Sequence, residues 1–324
     1  MNTENRKVPL FADGVSNENV SRRVSVLIPC KNEEKAIQKV IEEFRKQLPD
    51  AEIIVCDNNS TDRTADIARA AGAIVLHELR AGKGHAIRKL FGACTRDICV
   101  MVDGDGTYTS ADVHKLIAPV LSGQADMVVG RRVTPEQDLD AAYRKGHQFG
   151  NQLFTQAMSK MLGYPLGDVF SGYRAMSRRF IKSFPCLSAG FEIETELTVH
   201  TLDLGLTLQE IDSEYGVRAD GSVSKLNTFR DGSRIAMVLL HLYAQIRPVR
   251  FYGGLASLLV LASLIVGSPV IIHFLETGLV PRFPSALLAA ALMLMGTMLF
   301  GCGLILDSTS RCRREIKRLA YLGL

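Results

Sequence analysis

The chain predicts an α/β fold: a mostly parallel, Rossmann-like sheet followed by an interfacial helix and two C-terminal transmembrane helices. Two observations carry this. From Val24 to Ala219 short apolar runs alternate with amphipathic stretches, the pattern of parallel strands joined by right-handed crossover helices. Beyond Phe251 two long segments carry almost no charge.

Residues 1–21 are polar, lack an apolar core and read as a flexible N-terminal leader rather than a secretory signal. Residues 22–230 read as one globular domain. Within it Val24–Ile28, Glu52–Cys56, Ala73–Leu76, Ile98–Val102 and Asp126–Val129 are nearly continuous apolar runs, as expected of strands buried on both faces. Helical spacing follows the first two, with Ile37, Val40, Ile41 and Phe44, then Ala65, Ile67, Ala68 and Ala71. A long helical stretch is expected over Gln137–Leu162, and another from Ile193.

Residues 231–249 place Ile235, Val238, Leu239, Leu242, Tyr243 and Ile246 at helical spacing. An amphipathic helix lying on a membrane and an ordinary packed surface helix both fit that pattern. Residues 250–307 hold the two apolar runs, Phe251–Phe274 and Phe283–Leu306. At about 1.5 Å per residue each can cross a hydrocarbon core of about 30 Å. Arg247 and Arg250 precede the first run, and Arg311, Arg313, Arg314, Lys317 and Arg318 follow the second in a basic tail, 308–324. The connecting loop carries only Glu276 and Arg282, so the positive-inside bias predicts a cytoplasmic globular domain and cytoplasmic termini. Gly296, Gly301 and Gly303 are small residues of the kind that pack membrane helices, within one chain or in a homo-oligomer.

A formal net charge of +4 over 324 residues is too mild to call for nucleic acid as a partner. The seven cysteines show no C-x-x-C pair and read as buried or idle thiols of a reduced compartment.

Ligands of open α/β sheets bind outside the carboxyl ends of the strands. Three strands here run into polar, acidic turns: Pro29-Cys30-Lys31-Asn32-Glu33-Glu34, Asp57-Asn58-Asn59-Ser60-Thr61-Asp62 and Asp103-Gly104-Asp105-Gly106-Thr107. Parallel topology brings them to one edge. Asp103 and Asp105, flanking a glycine after a buried strand, are hard oxygen ligands suited to Mg²⁺ or Mn²⁺. Ser60, Thr61 and Asp62 read first as caps of the following helix. Ala81-Gly82-Lys83-Gly84-His85 is either a backbone approach to a phosphate with Lys83 beside it, or a plain turn; the P-loop spacing is absent.

Together with Val129-Gly130-Arg131-Arg132, Asp168-Val169-Phe170-Ser171-Gly172-Tyr173-Arg174 and Gly221-Ser222-Val223-Ser224-Lys225-Leu226, these motifs resemble, in order, the family-two glycosyltransferases of GT-A fold. Within them the likeness is to polyprenyl-phosphate glycosyltransferases such as dolichyl-phosphate mannose synthase. The resemblance implies a nucleotide-sugar donor, a polyprenyl or dolichyl phosphate acceptor and inverting transfer. Pro29, Asn32, Glu33, Asp57, Lys83 and Asp103 would meet the nucleotide, with Asp105 the principal metal ligand. Arg132, Arg144, Ser171, Arg218 and Lys225 would meet the acceptor phosphate or departing diphosphate.

Two residues depart from that pattern. Thr107 stands where the mannose synthases carry Gln, and Lys31 where they usually carry Tyr, which leaves UDP and GDP donors both open. A phosphate acceptor needs no deprotonation, whereas a lipid hydroxyl, the alternative acceptor, calls for a base. Asp168 and the Glu192, Glu194 and Glu196 run supply the carboxylates for one, although acids there also suit a helix N-terminus. A chain without tryptophan cannot carry the Q-x-x-R-W signature of processive synthases. Intact Asp57, Asp103 and Asp105 argue against a non-catalytic scaffold.

Overall fold

The computed structural model describes residues 17–134, 147–190, 192–216, 237 and 240–323. They fall into two compact units, Met1–Thr228 with Lys317–Leu324, and Phe229–Ile316.

The first unit is built on a seven-stranded sheet: β1 (Val24–Cys30), β2 (Glu52–Asp57), β3 (Ile74–His77), β4 (Ile98–Met101), β5 (Met127–Val133), β6 (Arg174–Ser177) and β7 (Leu208–Glu214). Their order is β3-β2-β1-β4-β6-β5-β7, and only β6 runs antiparallel to its neighbours β4 and β5. The helices are α1 (Asn17–Ser21), α2 (Ile37–Gln47), α3 (Thr64–Ala70), α4 (Lys83–Ala93), α5 (Val113–Leu121), α6 (His147–Leu162), α7 (Arg178–Ser183) and α8 (Ile193–Asp203).

Both faces of the sheet are covered, and strand alternation divides the core between them. Val26, Ile28, Ile53 and Val55 join Ile37, Ile41 and Phe44 of α2 and Leu116 of α5. Leu27, Ile54, Met101 and Met127 point the other way, onto Ile87 and Leu90 of α4, Phe180 of α7 and Leu197 of α8. The predicted strands are all present. The short β6 and the edge strand β7 are additions to the sequence reading. Tyr321, near the C-terminus, is buried against this unit: its hydroxyl donates to Asp126 and its ring lies under Arg179, 5.0 Å from the guanidinium carbon.

One sequence expectation is corrected. Cys94 and Cys99 are joined in a disulfide, linking the residue after α4 to β4, with Cα atoms 6.9 Å apart. Cys30, Cys56 and Cys186 are buried free thiols.

The second unit contains α9 (Pro248–Thr277) and α10 (Phe283–Leu322) as far as Ile316, both long and apolar enough to cross a membrane; the end of α10, from Lys317, belongs to the first unit. They form an antiparallel hairpin whose seam repeats every seven residues. Ala289 meets Gly267, Gly296 meets Ala256 and Val260, and Gly303 meets Tyr252 and Pro248. A Cβ on Gly296 or Gly303 would lie 3.0 Å from the facing helix, so these glycines set how closely the helices pack. Ser263 adds a bond of 2.7 Å to the Ala289 carbonyl. Gly301 faces open space, so two of the three glycines read from the sequence are used within the chain. Helix α10 runs through the basic segment that reads as a tail. Residues 240–246 are helical, and most of the predicted amphipathic segment lies outside the described residues.

Candidate functional site

The acidic turns after β1, β2 and β4 meet at the carboxyl edge of the sheet, as parallel topology requires. The first two are stitched together. The Asn32 amide donates to Ser60 Oγ (2.9 Å), the Glu33 amide to Thr64 Oγ1 (2.8 Å) and the Glu34 amide to Asp62 (3.2 Å). In return the Thr61 amide donates to Asn32 Oδ1 (2.8 Å) and the Arg63 amide to Glu34 (3.1 Å). The sequence reading of Ser60, Thr61 and Asp62 as helix caps holds for Asp62, whose Oδ1 accepts the Thr64 amide at the start of α3 (3.0 Å), whereas Ser60 and the other oxygen of Asp62 accept bonds from the neighbouring turn. Asn32 and Asn59 make the reversal with φ of 56° and 58°, a left-handed geometry that Asn tolerates better than most side chains.

Pro29 is buried at the end of β1, with Asn32 and Glu33 beyond it. Asp57 is buried at the end of β2, its carboxylate 3.3 Å from His77 Nδ1 and accepting the Ser60 amide at 3.2 Å. Asn58 reaches across to the next loop. Its amide donates to the carbonyls of Glu78 and Arg80, and its oxygen accepts the Gly82 amide at 2.8 Å.

That loop leads to Gly82-Lys83-Gly84, where the glycines have a packing role. A Cβ on Gly82 or Gly84 would stand 2.2 or 2.1 Å from the carbonyl oxygens of Ala189 and Ser188. Only glycine lets α4 begin this close to that backbone. Lys83 starts the helix, and its ammonium lies 2.5 Å from Asp103 Oδ1 and 2.5 Å from Glu194 Oε1. Burial works against the charge on Lys83, but the two carboxylates outweigh it and hold its pKa well above the ordinary lysine range.

Asp103 and Asp105 follow β4 as predicted. Gly104 between them packs on Cys30, and Gly172 faces the Asp103 carboxylate so closely that a Cβ there would lie 2.4 Å from Oδ2. Asp105 is buried, and Oδ1 accepts both the Thr107 hydroxyl (2.6 Å) and the Thr107 amide (3.2 Å). Thr107 thus orients the carboxylate. Among the described residues no group of three or more His, Cys, Asp or Glu side chains gathers as a ready-made cage. Two hard carboxylates on one turn fit Mg²⁺ or Mn²⁺, which keep most positions for water and phosphate oxygens.

Arg132 lies across the site on β5. Its Nε and Nη2 grip both oxygens of Asp168, at 2.7 and 2.8 Å, and its guanidinium carbon stands 5.5 Å from the Tyr215 ring centre. Ser171 is fully buried and donates to the Gly130 carbonyl at 2.5 Å; its hydroxyl ties the 168–174 turn to β5. Tyr108 accepts the Gly172 amide at 2.9 Å. Arg144, Arg218 and Lys225 lie outside the described residues.

Three residues gain roles that the sequence did not assign. Arg174 is fully buried, its guanidinium donating to the carbonyls of Ser171 (2.9 Å) and Val169 (2.7 Å) and to Thr198 (2.9 Å). It is the internal frame of the turn carrying Asp168 and Gly172. Glu194, read among the possible bases, is the buried partner of Lys83. Glu196 accepts the amides of Leu187 and Ser188 at 3.1 and 2.9 Å, holding the segment against which the glycines pack.

Residues 25–184 match the family described as Glycosyl transferase family 2. Glycosyltransferase AglJ of Haloferax volcanii is 30% identical over 304 residues, covering 92% of this chain and 98% of AglJ. An uncharacterised protein of Shigella flexneri is 51% identical over 155 residues, 48% of this chain and 95% of that protein. Glucosyl-3-phosphoglycerate synthase from Mycobacterium tuberculosis, solved with Mn²⁺ and UDP-glucose, superposes with a TM-score of 0.56 at 26% identity, over 73% of this chain and 86% of that one. The mixed, mostly parallel sheet, the carboxylates at its edge and a relative matched over nearly its whole length agree: the chain belongs to glycosyl transferase family 2.

Proposed function

We propose that this glycosyltransferase moves a sugar from a UDP- or GDP-linked donor, with Mg²⁺ or Mn²⁺, onto a polyprenyl phosphate at the cytoplasmic face of a membrane. Pro29, Asn32, Glu33 and Asp57 hold the nucleoside, and Asp103 and Asp105 hold the cation beside the diphosphate. A cation held there would supply positive charge to the departing diphosphate. Arg132, with Arg144, Arg218 and Lys225, supplies further positive charge for the phosphates. Charge flanking the apolar runs of α9 and α10 favours a cytoplasmic catalytic unit.

The observation that carries the acceptor reading is the state of the carboxylates. Asp168 is held by the Arg132 fork, Glu194 by Lys83 and Glu196 by two backbone amides. A lipid hydroxyl must lose a proton to a base as it attacks, and these three of the four candidate acids are already committed. A phosphate arrives as an anion and needs positioning and charge stabilisation alone. Attack by the phosphate in a single displacement inverts the anomeric carbon. UDP- and GDP-sugars should be offered to the detergent-purified protein with a polyprenyl phosphate, the corresponding prenol and diacylglycerol. Transfer to the phosphate with a β-linked product from an α-linked donor is expected. Transfer to prenol or diacylglycerol instead would overturn the acceptor assignment.

A further inference from the structure

We infer that Glu194 is a positioning residue for the metal-binding turn, acting through Lys83. The inference rests on Asp103 and Asp105 as cation ligands. Lys83 is 10% exposed and Glu194 3%, so their ion pair is shielded from the solvent that would weaken it at a surface.

The first argument is charge. An ammonium 2.5 Å from Asp103 opposes the binding of a divalent cation to that carboxylate. Glu194 shares the same ammonium, so Lys83, Asp103 and Glu194 together keep a net negative charge. With Asp105 they balance a divalent ion; with a neutral residue at 194 they do not.

The second argument is geometry. Lysine has a flexible four-carbon stem, and one partner leaves its head free to swing. Gly82 and Gly84 fix where that stem starts by docking on Ser188 and Ala189, and α8, which presents Glu194, begins a few residues later at Ile193. One stretch of chain therefore fixes the root of Lys83 and delivers the carboxylate that holds its tip.

The third is satisfaction. Glu194 Oε2 is buried and makes no hydrogen bond to the described residues. A buried carboxylate oxygen without a partner calls for an explanation, because packing alone does not offset its desolvation. Here the paired oxygen is the one facing Lys83.

The test is Mn²⁺ binding to the full-length protein in detergent, without donor, followed by electron paramagnetic resonance. The variants are Glu194→Gln, Lys83→Met and the double variant. Glu194→Gln should bind Mn²⁺ roughly tenfold more weakly, because Lys83 then weighs on Asp103 alone. Lys83→Met should bind at least as tightly as the wild type. The double variant should recover most of the loss, a coupling that independent structural damage does not produce. Wild-type affinity in Glu194→Gln, or a double variant as weak as Glu194→Gln, would overturn the inference. If Glu194→Gln fails to fold, Lys83→Met still decides: a tenfold loss there contradicts the role given to Lys83. Asp105→Asn is the separate control, since unchanged Mn²⁺ binding in that variant removes the metal assignment itself.

Discussion

Gly172→Ala adds one methyl group, and the structure says where it goes. The new Cβ would stand 2.4 Å from Asp103 Oδ2, 2.7 Å from Cγ and 2.8 Å from Oδ1. Ordinary contact begins near 3.4 Å, so the carboxylate must retreat by about 1 Å or the 168–174 turn must give way. The turn resists, because Arg174 holds two of its carbonyls from inside and Tyr108 holds the Gly172 amide. The carboxylate is the weaker party and moves, away from its place beside Lys83 and the proposed cation site. A displacement of about 1 Å at a reacting centre costs on the order of a hundredfold in rate, or about 2.7 kcal/mol. Overpacking costs a further 1–3 kcal/mol or so of stability. Donor turnover with Mn²⁺ varied, alongside thermal unfolding in detergent, measures both. The expected result is a loss of about a hundredfold in kcat/KM with a raised metal requirement. Near-wild-type kinetics would falsify the claim that Gly172 makes room for Asp103.

Three further outcomes follow from the same geometry. Asp105→Asn should abolish transfer and metal-dependent donor binding yet keep the fold, because an amide oxygen can still accept from Thr107; retained activity with an unchanged Mn²⁺ titration contradicts it. Arg132→Ala leaves the Asp168 carboxylate with only the backbone amides of Arg132 and Phe170, a loss of about 1.5–3 kcal/mol that should lower the melting temperature as well as the rate; an unshifted melting temperature excludes that pairing as a support of the fold. Burial near Phe180 and Phe184, with Lys317 acting in the same direction, holds His200 down to about 3. Its unfolded value is near 6.5, so the unfolded chain takes the proton first. Stability should be full above about pH 6.5 and fall by about 1.4 kcal/mol per unit below it, down to about pH 3. His200→Gln should lack this component, and equal slopes in denaturant titrations from pH 7 to 5 would contradict the assignment.

The sheet was legible because its central strands are buried on both faces. Val24–Cys30 and Ile98–Met101 have no polar face to keep, so they appear in sequence as short apolar runs, and the acids that end them had to share an edge. β6 was not legible. It is four residues long, runs antiparallel and begins at a charged residue, Arg174, which no hydropathy pattern assigns to an interior. β7 escaped because its Leu-Gln-Glu-Ile-Asp-Ser-Glu run is mostly polar and paired on one side only.

Within the site, the residues that end strands were found and those that connect across the sheet were not. Asp103 and Asp105 announce themselves by following a buried strand. Glu194 stands 91 positions after Asp103 in a run of acids that also suits a helix N-terminus, and local pattern cannot choose between those roles. What distinguishes it is the lysine it meets, and that contact depends on α4 docking against residues 188 and 189. The glycines were the available signal. Gly82, Gly84, Gly104 and Gly172 each stand where a methyl group would strike backbone, a thiol or a carboxylate, so each marks a close approach between segments distant in sequence. For Gly82 and Gly84 the sequence reading sets a phosphate approach against a plain turn, and a chain-on-chain approach is an alternative outside it. In this site Gly82 and Gly84 make the chain-on-chain approach and deliver Lys83 to Asp103 and Glu194.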